Sequence, residues 1–117
     1  MNAEYDNAAL EFLVYEFNDD EKTDINNKIK RKVKKNNLGE YNQEHIDYLR
    51  EIKNTIKAEI EKYHKSKYYT QKHGESSNIN DFDTEEMAND YSKKYEQISK
   101  NVISTFIELA VYVYYLR

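Results

Sequence analysis

Residues 42–73 read NQEHIDYLREIKNTIKAEIEKYHKSKYYTQKH, and one set of side chains returns every three or four positions: His45, Leu49, Ile52, Ile56, Ile60 and Tyr63. That spacing gathers them on one face of an α-helix and would scatter them over both faces of a strand. Asp47 with Arg50 and Glu61 with Lys65 stand three and four apart, where helix-surface ion pairs form. Gly74 closes the segment, and Glu75 to Phe82 is polar and aperiodic, a loop.

Downstream, Asp83 and Glu86 form a capping-box-like start, with Phe82 and Met87 placed as a hydrophobic staple. A seam follows through Tyr91, Tyr95, Ile98, Val102, Phe106, Leu109, Val113 and Leu116. A second stripe, Ile103, Ile107, Ala110 and Tyr114, makes the end apolar nearly all round. Upstream, residues 7–17 carry Leu10, Phe12, Leu13, Val14 and Phe17, and residues 20–38 carry the narrow stripe Ile25, Ile29, Val33. Asn18-Asp19-Asp20 separates these two segments, and Gly39 offers a left-handed stop.

The expected fold is therefore all-α and a single domain over residues 1–117, with helices at about 7–17, 20–38, 42–73 and 84–116. The last two, each about 50 Å long, would form a long antiparallel hairpin dressed by the two shorter ones in a small bundle. So long a hairpin leaves seam exposed, which calls for a protein partner or a homodimer.

Composition agrees. The 117 residues include no cysteine, no proline and two glycines, too few corner residues for a strand-and-turn fold. The lack of cysteine excludes disulfides, thiol nucleophiles and thiolate zinc sites. Tyrosine, lysine, asparagine and isoleucine dominate while alanine, arginine and glycine are scarce, the codon signature of an AT-rich genome such as a low-GC bacterium or its phages. The first eleven residues hold acids and no base, unlike a secretory signal, and the most apolar run, Val102–Leu116, contains Glu108. At about 15 residues that run is shorter than a bilayer core requires. No membrane contact and a cytoplasmic location are expected.

The net charge of -4 conceals three blocks: -7 over residues 1–27, +7 over 28–72 and -4 over 73–117. Asp19, Asp20, Glu21 and Asp24 form an acidic cluster suited to a basic surface on a partner protein. Lys28, Arg31, Lys32 and Lys35 share a helix face, a candidate phosphate-contacting row. Lys62, Lys65, Lys67 and Lys72 interleave with Tyr68 and Tyr69, the pattern that stacks unpaired bases while holding phosphates. The alternative for both basic sets is a solvated helix surface, and lysine lacks the forked geometry of arginine.

Signals for catalysis are weak. Glu61 and His64 make one Glu-x-x-His spacing, but a di-iron bundle needs two. An EF-hand frame begun at Asp81 puts Glu86 where glycine belongs and Ser92 where the bidentate glutamate belongs. No glycine-rich phosphate loop and no Ser-His-Asp arrangement can be argued. Residues 106–116, FIELAVYVYYL, resemble in composition the aromatic-aliphatic last helix of the small helical subunit in type III CRISPR effector complexes. That resemblance covers about a dozen residues and implies a nucleic-acid assembly. The expectation from the residues is a protein without enzymatic activity, cofactor or metal. It would act as an inhibitor, immunity or anti-defence factor, with a nucleic-acid-binding subunit or a homodimeric scaffold as alternatives.

Overall fold

The computed structural model describes residues 2–70 and 78–117. Helices dominate, and no strand occurs among the described residues; one isolated antiparallel bridge joins Tyr69 and Phe82. The five α-helices are α1 (Ala3–Leu13), α2 (Lys22–Lys35), α3 (Gln43–Ile60), α4 (Thr84–Lys94) and α5 (Lys100–Val111). Contacts cluster into two compact units, Met1–Lys53 and Asn54–Arg117. No helix among the described residues is long and apolar enough to cross a membrane.

In the first unit, α1 starts four residues before the expected Asn7, because Asn2 Oδ1 accepts the Tyr5 N–H at 2.8 Å and caps the helix early. It ends at Leu13 rather than Phe17, and Phe17 is 51% exposed instead of buried. The α1 core face is Tyr5, Ala8, Ala9, Leu10 and Leu13, and it packs against α2. On α2 the expected stripe Ile25, Ile29, Val33 is buried in full. Its left-handed stop, however, is Asn37 (φ 56), not Gly39. Asn37 N–H donates to the Lys34 carbonyl at 3.2 Å and Leu38 N–H to the Val33 carbonyl at 3.0 Å, a Schellman closure that asparagine tolerates. Gly39 follows with φ 114 and turns the chain toward α3.

The seam of α3 is as expected at Leu49, Ile52, Ile56 and Ile60, with Ile46 added. It ends at Ile60, not His73. The reason lies in the second unit, where leaving the helix lets Tyr68 be buried and Tyr69 bridge to Phe82. Tyr63, read as the last seam residue, turns into the left-handed region (φ 53) and is 47% exposed. Ser66 Oγ then donates to Glu59 Oε2 at 2.5 Å and accepts the Tyr68 N–H at 3.1 Å, fastening the turn. Glu61 consequently pairs with Lys57 at 3.4 Å rather than with Lys65. The expected stop at Gly74 lies outside the described residues.

The start of α4 follows the sequence reading: Asp83 Oδ1 accepts the Glu86 N–H at 3.0 Å, and Phe82 and Met87 are buried. The expected helix over 84–116 is two helices. It breaks at Tyr95, and Ser99 caps a new start by accepting the Val102 N–H at 3.3 Å. A serine oxygen inside a helical pattern competes as an N-cap, and here it wins because the break lets α4 fold back and pack on α5. The all-round apolar character of α5 is satisfied in this way. A widened helical turn, Tyr112–Leu116, follows α5. Among the described residues, neither expected 50 Å helix is continuous. The close helix pairs among the described residues are α1 with α2 and α4 with α5.

Candidate interaction site

Between α1 and α2 the chain alternates outward and inward: Tyr15 is 41% exposed, Glu16 3% and Phe17 51%. The inward residue is an anion, and two cations from α3 meet it. Arg50 Nε and Nη2 donate to Glu16 Oε1 and Oε2, both at 2.8 Å, a bidentate pair. Nη2 also donates to Asn26 Oδ1 at 2.7 Å, and Nη1 to Asp47 Oδ1 at 2.8 Å. Lys53 Nζ donates to the Glu16 carbonyl at 3.0 Å and stands 3.4 Å from its Oε1. Burial works against the Arg50 charge, but the Glu16 and Asp47 carboxylates together more than offset it and hold the guanidinium above its ordinary pKa.

The backbone N–H groups from Val14 to Asn18 all have partners. Val14, Tyr15 and Glu16 donate to the carbonyls of Leu10, Phe12 and Leu13. Phe17 and Asn18 N–H both reach Glu21 Oε1, at 3.2 and 2.9 Å. The result is a pinned projection that presents two aromatic rings outward beside exposed Asp19 and Asp20. The sequence pattern puts Phe17 on a buried helix face and Arg50 in a surface pair. Glu16 carries no local signal of burial, since its partners lie more than 30 residues away.

The expected acidic cluster divides. Asp19 has a side chain 97% exposed and a loose contact with Lys22 at 3.4 Å. Asp20 is exposed, Asp24 pairs with Lys28 at 3.2 Å, and Glu21 is spent on the backbone of the projection. The expected basic row divides too. Lys28 is neutralised by Asp24, and Lys32 lines a hollow of about 540 Å³ with Glu4 and Glu11. Arg31 and Lys35 are exposed.

The second basic set does not present an aromatic platform. Tyr68 is 4% exposed, and its hydroxyl donates to Asp90 at 2.7 Å. Burial, reinforced by Asp90, pushes that hydroxyl far above the ordinary tyrosine range. Tyr69 is half-buried edge-on to Phe82 and Tyr115. Lys62 pairs with Glu59, Lys67 covers the Tyr68 ring and Lys65 is exposed. Lys72 lies outside the described residues. The buried Tyr68 is core, which corrects its reading as a stacking surface.

His45, expected on the seam, is half-buried with Nε2 2.6 Å from Asp6 Oδ1. Tyr5 stands edge-on to it, and the Tyr5 hydroxyl accepts the Asn42 N–H at 3.0 Å. The pair joins the first turns of α1 and α3. Among the described residues no three His, Asp or Glu side chains are grouped to hold a metal ion.

Comparison with protein-family models, curated proteins and solved structures gave no significant match.

Proposed function

We propose that the protein acts by binding another protein through the Tyr15–Asp20 projection, with no catalytic step. The observation that carries this reading is a buried Glu16–Arg50–Lys53 network whose outward neighbours are two exposed aromatic rings. Sequestering three charges is costly, and an apolar trio would fill the same space at little loss of stability. What the network adds is a fixed direction for Tyr15 and Phe17. Rigid aromatic side chains on a pinned backbone lose little entropy on binding and are the usual anchors of protein interfaces.

The partner face that fits has an apolar recess for the rings and a basic rim for Asp19 and Asp20. The acids would steer encounter and the rings would supply most of the affinity. Action by occupancy is that of an inhibitor, immunity or anti-defence protein, the class expected of a small helical chain from an AT-rich genome. Quantitative affinity capture with the tagged full chain tests the reading. A stoichiometric protein should be retained by the unaltered chain and by Arg31→Gln/Lys35→Gln, and lost with Tyr15→Ser/Phe17→Ser. No such protein, or one retained equally by the Tyr15/Phe17 variant, would sink it.

A further inference from the structure

The opposite flank of α2 from the Lys28–Lys32 row carries Lys30 and Lys34, one helical turn apart. Together with Val33, Asn37, Gly39, Glu40 and Tyr41 they line an open hollow of about 580 Å³, within the range of small-ligand sites. The Schellman closure at Asn37 and the left-handed Gly39 swing the chain round so that Tyr41 comes back beside the helix. Lys30 Nζ lies 5.0 Å from the centre of the Tyr41 ring, and the Tyr41 hydroxyl donates to Gln43 Oε1 at 2.8 Å. No atom stands within 4 Å of where a Gly39 side chain would begin, so that wall is open.

The two flanks differ in what faces the lysines. Lys28 and Lys32 meet Asp24, Glu4 and Glu11. Lys30 and Lys34 have no carboxylate partner among the described residues, and only Glu40 shares their hollow. Two unneutralised ammonium groups beside an aromatic ring match a base with its flanking phosphates. We propose that this hollow binds single-stranded nucleic acid, one base resting against Tyr41 and the adjoining phosphates held by Lys30 and Lys34. Specific base recognition is not part of it, since lysine supplies charge without a forked geometry.

Fluorescence anisotropy with end-labelled oligo-dT ten nucleotides long and the full chain decides the matter. Two phosphate contacts predict affinity falling about sevenfold between about 50 and 200 mM salt. Lys30→Gln/Lys34→Gln, both exposed positions, should remove binding and its salt dependence together. Tyr41→Ala should weaken binding at least about fivefold while Tyr41→Phe preserves it. Glu40→Gln should tighten it by relieving repulsion. Tyr15→Ser/Phe17→Ser should leave it unchanged, which separates this site from the protein-binding projection. Absence of binding at the lower salt overturns the proposal. So does loss that follows Arg31→Gln/Lys35→Gln instead of Lys30→Gln/Lys34→Gln.

Discussion

Replacing Arg50 by methionine removes four hydrogen bonds at once: two to Glu16, one to Asn26 and one to Asp47. Glu16 stays buried, with Lys53 Nζ at 3.4 Å from its carboxylate as the remaining cation. Breaking a buried pair by deleting one partner costs about 3–5 kcal/mol, and Lys53 places this variant near the lower figure. Glu16→Gln belongs near the upper figure, because it takes the buried carboxylate away from two buried cations at once, Arg50 and Lys53. Unfolding entropy scales to about 0.25 kcal/mol/K for a chain this long, so each kcal/mol moves the melting temperature by about 4 °C. Thermal melts followed by circular dichroism should then show falls of about 12 °C for Arg50→Met and about 20 °C for Glu16→Gln. A triple change, Glu16→Leu/Arg50→Met/Lys53→Met, should regain most of that stability by packing. It should still lose partner capture, since nothing then fixes Tyr15 and Phe17. An Arg50→Met loss under about 4 °C would refute the buried network. A triple variant that binds as well as the unaltered chain would refute its role in aiming the rings.

On the alkaline side, burial pushes the Tyr91 hydroxyl up to about 12, against an ordinary value near 10. The neutral phenol is thus favoured by folding; its contribution is complete below about pH 10 and is lost as pH rises through the folded value. Tyr91→Phe should therefore flatten the fall in melting temperature between about pH 10 and 12, by the order of 1–2 kcal/mol, with little change at neutrality. At the α2 terminus, Asn37→Ala should cost about 1 kcal/mol and Asn37→Gly less than half of that, because alanine resists the left-handed region and glycine does not. Equal losses from both in urea titration would mean that the Asn37 side chain, not its backbone, closes the helix.

Patterns confined to one turn of helix were legible in the sequence. The stripe on α2, the Leu49–Ile60 seam of α3 and the Asp83 cap all follow from spacings of three and four. The two overlong helices share one cause. At Ile60 and at Tyr95 the apolar periodicity runs on while the chain turns, because burying Tyr68 and folding α4 onto α5 gain more than another helical turn would. The one local mark of those choices is Ser99, a helix-capping residue within the mostly polar residues 96–101. The candidate site was hidden for a similar reason. Glu16, Arg50 and Lys53 read as three ordinary surface charges until distant segments bring them together, and Phe17 reads as core because its burial depends on the helix continuing.

The charge blocks acquire a different meaning in this light. Asp19, Asp20, Glu21 and Asp24 stand at or before the first turn of α2, and Lys32, Lys34 and Lys35 occupy its last turn. That order complements the helix dipole at both ends, so much of the swing from -7 to +7 is explained by one helix stabilising itself. Self-stabilisation does not explain Lys30, which lies mid-helix over an aromatic ring, nor Tyr15 and Phe17, which point outward from a backbone held by three buried charges. A helix needing only dipole complementarity could dispense with Tyr41, and a loop needing only to connect two helices could dispense with Glu16. The residues that exceed what the fold requires are therefore the Tyr15–Phe17 projection and the Lys30–Tyr41 hollow, and the proposed recognition rests on those two places rather than on the charge runs themselves.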